Sequence, residues 1–122
     1  MKDNKTTVVI GASANPARYS NLAVKKLKSY GHEVVPIGIR EGTIDNIPIV
    51  IGRPEIKNVD TVTLYLNASR QKEYYDYIFK LRPKRIIFNP GAENPEFERL
   101  SEEKGIEPLE ACTLVMLSTG QY

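Results

Sequence analysis

The residues able to hold a ligand gather near the start of the chain, where Thr7-Val8-Val9-Ile10 runs into Gly11-Ala12-Ser13-Ala14-Asn15-Pro16-Ala17-Arg18-Tyr19-Ser20. Val8 to Ile10 is an unbroken β-branched run, the pattern of a strand covered on both faces of a parallel sheet. Gly11 ends it, and Gly11, Ala12 and Ser13 are small enough for a ligand to approach the main chain. Helical spacing follows directly, so the loop faces free N–H groups and the positive end of a helix dipole. That combination takes an anion, and phosphate is its natural occupant.

The elements that must position this loop follow from the rest of the chain. Residues 20–30 set Ala23, Val24, Leu27 and Tyr30 on one helical face with Lys25, Lys26 and Lys28 between them, and Gly31 marks the stop. Two N-caps are open: Ser20, after a turn at Asn15-Pro16, or Asn15 itself with Pro16 in the first turn. Val34-Val35-Pro36-Ile37 reads as a second strand, with Pro36 near its end because proline has no N–H to give a central ladder. Gly38 and Gly42 mark a turn, and residues 43–59 read as a loop with one short extended piece and a helical turn near residues 54–57. Residues 60–66 form a third strand by β-branched and aromatic content. Ser69 is the expected cap of a helix through Leu81 with Tyr74, Tyr77, Ile78 and Leu81 inward. A fourth strand at Arg85-Ile86-Ile87-Phe88 leads into a tight turn, Asn89-Pro90-Gly91-Ala92-Glu93. Asn94-Pro95-Glu96 then opens a helix that Gly105 closes. Residues 106–109 make a fifth strand, and residues 112–117 are apolar without a clear period.

Strands alternating with helices give an α/β class, here a three-layer Rossmann-like fold with a five-stranded parallel sheet in the order 3-2-1-4-5. The chain reverses between strands one and four, and ligands of such sheets lie in the crevice there, beyond the carboxyl ends. Residues 11–20, 36–40, 66–69, 89–92 and 110–113 all follow those ends. His32 falls on the opposite edge and is assigned no catalytic part.

Composition narrows the classes. The chain has 122 residues, a single cysteine, a single histidine and a formal net charge of +2. That size suits one domain, residues 1–122, and the lone Cys112 and His32 exclude an intrachain disulfide and make a zinc site unsupported. Basic residues are scattered among acidic ones, against nucleic acid as the partner. No apolar run reaches bilayer length, and Met1-Lys2-Asp3-Asn4-Lys5 has no apolar core behind it, so a cytoplasmic protein that does not enter the membrane is expected. Tyr74, Tyr75 and Tyr77 cannot all face one core on a regular helix, which points to an outward aromatic patch and a homodimer or other protein contact.

A dinucleotide cofactor is tested by its fingerprint. Only Gly11 of G-x-G-x-x-G is present, Ser13 and Pro16 holding the later glycine positions, and no acid ends strand two. Arg40 would suit a phosphate on the ribose, with Glu41 beside it opposing. NAD(P) and an oxidoreductase or redox sensor remain the alternative reading.

The stretch Val9-Ile10-Gly11-Ala12-Ser13-x-Asn15-Pro16-x-Arg18, followed by Gly31-His32-Glu33-Val34-Val35-Pro36-Ile37, resembles the stand-alone CoA-binding proteins, relatives of the CoA-binding domain of succinyl-CoA synthetase α subunits. Val59-Asp60, Phe88-Asn89-Pro90-Gly91 and Glu110-Ala111-Cys112 extend the likeness over nearly the whole chain. The resemblance implies that Gly11, Ala12 and Ser13 hold a CoA phosphate through main-chain N–H groups, near Asn15, with Arg18 and Ser20 closing over it. It implies Pro36, Ile37, Gly38 and Arg40 beside the adenosine and its 3′-phosphate. Leu66, Asn67 and Ala68 would then flank the adenine or pantetheine, with Pro90, Gly91 and Ala92 as the other wall. Coenzyme A or an acyl-CoA is the implied ligand, a small-molecule nucleotide. No Ser-His-Asp or Cys-His set emerges, so the expected role is binding or sensing rather than catalysis. Cys112 has two readings: a small buried apolar residue, or, if the last strand brings it to the crevice, a thiol able to pair with that of CoA.

Overall fold

The computed structural model describes residues 4–122; Met1, Lys2 and Asp3, read above as part of a charged start, lie outside them. Six parallel strands form one sheet. In chain order they are β1 (Thr7–Ile10), β2 (Val34–Gly38), β5 (Val50–Ile51), β6 (Thr61–Leu64), β7 (Arg85–Phe88) and β8 (Glu107–Glu110). Their spatial order is β5-β2-β1-β6-β7-β8. Numbered among themselves, they run 3-2-1-4-5-6. The predicted order therefore holds with one strand added and the identities shifted. Val50–Ile51 takes third place beside β2, pairing only Ile37↔Val50 and Gly38↔Ile51. The segment expected there is the fourth strand and pairs with β1 in the register Thr7↔Thr61 to Ile10↔Leu64. Between β2 and β5 a separate hairpin pairs β3 (Thr43–Ile44) with β4 (Ile47–Pro48), and Asp45 and Asn46 at its tip both have positive φ. Residues 54–57 hold no helical turn.

Side-chain alternation builds a core on each face. Val8, Ile10, Val62, Leu64, Ile86 and Phe88 point to one side, under Ile78 and Leu81 of α3 (Tyr75–Leu81) and Phe97 of α4 (Pro95–Glu103). Val9 points to the other, under Val24 and Leu27 of α1 (Tyr19–Ser29) and Leu117 of α5 (Thr113–Ser118). The last apolar segment is thus helical. No helix among the described residues is long and apolar enough to cross a membrane.

Pro36 stands inside β2 rather than at its end, paired with Val9. In a parallel ladder each residue's N–H and C=O point to one side and successive residues alternate. The carbonyls of Glu33 and Ile37 face β1, so the side on which Pro36 lacks an N–H is the outer one, where β5 begins pairing only at Ile37.

The tyrosine-rich helix is also broken differently. α2 (Ala68–Gln71) is capped by Asn67, not Ser69, with Asn67 Oδ1 accepting from Arg70 N–H. A 3-10 turn at Lys72–Tyr74 separates it from α3. The buried stripe continues across that turn through Gln71, Tyr74, Tyr77, Ile78 and Leu81. Tyr74 and Tyr77 are buried as expected, while Tyr75, half-buried, stacks on Phe97 with ring centroids 4.1 Å apart. The outward aromatic patch does not exist. Phe97 is fully buried against Tyr75, Phe79 and Phe88. Phe97→Ala is expected to cost about 3–5 kcal/mol of stability, read as a lowered midpoint in urea denaturation.

Candidate functional site

The carboxyl end of the sheet opens where the chain reverses, between β1 and β6. A crevice of about 690 Å³ lies there. β1 gives way to Gly11, φ 95°, and the N–H groups of Gly11 and Ala12 both donate to the Ile37 carbonyl, at 3.0 and 2.9 Å. Close packing leaves no alternative to glycine on either side of this joint. A Cβ on Gly11 would stand 3.0 Å from the Tyr65 carbonyl oxygen, and one on Gly38 would stand 2.5 Å from that of Ala12.

Those two bonds correct part of the expected cradle. The Gly11 and Ala12 amides serve the joint and are not free for an anion. The donors left over lie further along. Ser13, Ala14, Tyr19 and Ser20 keep main-chain N–H groups without a protein partner among the described residues. Asn15 shapes the loop into a turn, its Oδ1 accepting from Ala17 N–H at 3.0 Å and its carbonyl from Arg18 N–H at 3.1 Å. Arg18, not Ser20 or Asn15, occupies the N-cap of α1, with no side-chain cap. Asn21 on α1 holds the loop back by donating Nδ2 to the Ser13 carbonyl at 2.8 Å. Ser20 is only 4% exposed, lines the crevice, and its hydroxyl has no protein partner among the described residues. The Ser20 hydroxyl opens onto the crevice beside helix amides that also lack a protein partner, while the buried polar side-chain atoms left unpaired among the described residues are Asn21 Oδ1 and the Tyr65 hydroxyl.

The crevice gathers most of the residues singled out in the sequence. Gly11, Ala12, Ser13, Asn15, Arg18 and Ser20 line it from the first loop, Gly38 and Arg40 from the end of β2, Leu66 and Asn67 from the end of β6, and Pro90, Gly91 and Ala92 from the turn after β7. Pro36, Ile37 and Ala68 are not on the lining. Pro36 and Ile37 are buried in the ladder, Ile37 serving instead through its carbonyl, and Ala68 begins α2. His32 sits at the far edge, Nδ1 accepting from Lys5 N–H at 3.0 Å and the ring 5.0 Å from that of Tyr122. Cys112 is half-buried at the start of α5, and residues 110–113 contribute nothing to the lining, so the condition for pairing with a ligand thiol is not met.

Tyr65, Arg70 and Tyr74 also line the crevice and escaped the sequence reading, while Tyr19 and Ile39 lie within the stretches 11–20 and 36–40 but carried no assigned role. Arg70 was readable in principle, since an Asn67 cap places it in the first turn of α2 at the crevice. Arg18, Arg40 and Arg70 form no ion pair among the described residues, and Glu41 is the sole carboxylate on the lining. The crevice is thus electropositive. Tyr19 and Ile39 are 72% and 67% exposed at its mouth, an apolar rim beside the exposed arginines. Burial pushes the Tyr65 phenol far above its ordinary value, with the Thr113 and Thr63 hydroxyls offsetting part of that. It stays neutral at any physiological pH and cannot act as a base.

A family model for the CoA binding domain matches residues 5–118. The chain belongs to the CoA-binding domain family. Solved structures agree on the fold of this CoA-binding domain. The crystal structure of an uncharacterized protein is 49% identical over 99% of this chain and 100% of its own, with a TM-score of 0.96. A Thermus thermophilus protein is 22% identical, covering 98% of this chain and 91% of its own, with a TM-score of 0.84. A dinucleotide-forming acetyl-coenzyme A synthetase from Ca. Korarchaeum cryptofilum, solved with phosphate and ADP, is 21% identical with a TM-score of 0.69; 88% of this chain aligns with 25% of that one. No curated protein matches the chain.

The joint at Gly38 yields a direct expectation for the CoA-binding domain. Because the obstructing atom is a backbone oxygen, Gly38→Ala should force the end of β2 away from the first loop, costing about 1–3 kcal/mol by overpacking. Chemical denaturation measures the loss, and amide chemical-shift changes should centre on residues 11–14.

Proposed function

We propose that the crevice binds coenzyme A or an acyl-CoA and that the protein acts as a non-catalytic binding or sensing module. The observation that carries the reading is the set of three arginines without acidic partners around one crevice, in a chain of the CoA-binding domain family. CoA carries phosphate at two separated places, a diphosphate and a ribose 3′-phosphate. Charge-assisted bonds from guanidinium groups suit both. In this reading the diphosphate lies against Ser13, Arg18 and Ser20, and the 3′-phosphate meets Arg40 beyond β2. The exposed Tyr19 and Ile39 give the base an apolar surface, and the pantetheine runs between Leu66-Asn67 and Pro90-Gly91-Ala92. A binding role is supported by the chemistry of the lining, which has one carboxylate and neither the histidine nor the cysteine.

Thermal denaturation with CoA, acetyl-CoA, NAD and NADP side by side tests the reading, because a ligand bound by the native state alone raises the midpoint. CoA and acetyl-CoA are expected to stabilise; stabilisation by NAD alone would replace this reading with an oxidoreductase or redox-sensor domain. Calorimetry then separates the arginines. Arg18→Ala should weaken CoA and dephospho-CoA alike, by about tenfold or ~1.4 kcal/mol. Arg40→Ala should weaken CoA by a similar factor and leave dephospho-CoA unchanged.

A further inference from the structure

The ladder between β6 and β7 ends at Leu64↔Phe88. Beyond it the two chains part, one into Leu66-Asn67 and the other into Pro90-Gly91-Ala92, and these become facing walls of the crevice. One fully buried side chain spans them. Gln71 Nε2 donates to the Leu66 carbonyl at 2.8 Å and to the Ala92 carbonyl at 2.7 Å. Neither carbonyl has another partner among the described residues. Without that NH₂ group they would be two unpaired acceptors with nothing to hold them in register.

The direction of the Gln71 amide is not arbitrary. Asn94 caps α4, its Oδ1 accepting from Phe97 N–H at 3.1 Å. Its Nδ2 must therefore turn the other way, where it donates to Gln71 Oε1 at 2.9 Å and to Tyr75 Oη at 2.8 Å. With Oε1 so engaged, the Gln71 NH₂ faces the two wall carbonyls. A helix cap thus sets the polarity of the whole relay, since reversing either amide would set acceptor against acceptor.

We infer that Gln71, oriented by Asn94, is a positioning residue that sets the gap between these walls and with it the fit of the ligand's extended arm. The assignment of that arm to pantetheine rests on the CoA reading above. Two variants keep side-chain volume and alter only polarity. Gln71→Glu sets a carboxylate against both carbonyls. Asn94→Asp keeps the acceptor for Phe97 N–H and so retains the cap, but presents a second acceptor to Gln71 Oε1.

Calorimetry of both variants with CoA and with adenosine 3′,5′-bisphosphate, which lacks the arm, reads the effect; thermal melting confirms that each is folded. CoA is expected to bind about tenfold more weakly, and the bisphosphate within about twofold of wild type. Unchanged CoA affinity overturns the inference, and so does equal weakening of both ligands, the mark of a general structural loss. Amide hydrogen exchange without ligand provides a second readout that holds whatever the wild-type protein binds. Exchange should quicken at residues 66–68 and 90–92 in the variants and stay as in wild type at residues 13–20; no change at the walls also overturns it. Failure of wild-type protein to bind CoA, with the exchange pattern as expected, removes the CoA reading and leaves Gln71 as the spacer of the crevice.

Discussion

A single carbonyl determines where the chain leaves the sheet. By accepting from the N–H groups of both Gly11 and Ala12, Ile37 holds the end of β1 to the end of β2 one residue past the ladder, at 3.0 and 2.9 Å. On the other flank, Tyr65 N–H donates to the Ile10 carbonyl at 2.9 Å. With β1 secured on both sides, the chain has to turn out of the sheet plane at a positive φ, and the small residues that follow roof a space that no side chain fills. The crevice is thus a product of backbone hydrogen bonding. Its cost is that two main-chain amides at the crevice are already satisfied, and the N–H groups without a protein partner among the described residues lie further out, on Ser13, Ala14, Tyr19 and Ser20.

The charges around the crevice are likewise left without partners. Arginine is seldom left in a crevice without an acid nearby, because each guanidinium repels the next and the group seeks planar acceptors. Here the nearest ion pairs among the described residues, Arg53–Glu73 and those of Asp60 with Lys84 and Arg85, leave Arg18, Arg40 and Arg70 out. Unpaired cations at a preformed site lower the cost of recognising an anion, since no internal bond has to break when it arrives.

Much of this was legible in the residue pattern, and the parts that were not share a cause. The buried runs at Val8-Val9-Ile10 and Ile86-Ile87-Phe88, the turn at Pro90-Gly91 and the Asn94 cap read directly, because each is a local rule acting on neighbouring residues. A two-residue strand such as Val50–Ile51 has too little periodicity to register. Pro36 misled because its exclusion from ladders applies only to the side its nitrogen faces, and that side depends on which neighbour starts pairing where. Tyr75 misled because the ring that covers it, Phe97, comes from α4, and no local spacing announces that contact. At the site, Gly11, Ala12 and Ser13 were picked out by type and the other loop residues by the family resemblance, whereas Gln71 was invisible. Its importance lies in what two distant carbonyls require, and no spacing rule carries that information.

The two ends of the sheet divide the work of the molecule. At the amino end, polar groups are matched closely. Arg85 donates to Thr61 Oγ1 and the Tyr122 carbonyl and lies over the Tyr122 ring, Lys5 reaches the same carbonyl, and Thr7 and Tyr122 share a hydroxyl contact. At the carboxyl end the matching stops at the crevice surface. Below that surface, Asn89 Nδ2 donates to Thr63 Oγ1 and the Leu64 carbonyl, its Oδ1 accepts from Thr113 N–H, and Gln71 spans the walls. Above it, donors on Ser13, Ser20 and the three arginines face outward. The bonds of Asn89 and Gln71 hold this layer in place, because reorienting either amide would leave a buried group unpaired. Donors resting on that layer are held at the crevice without collapsing onto it. The same donors on a loosely held loop would turn to find partners within the protein, and the crevice would close on itself.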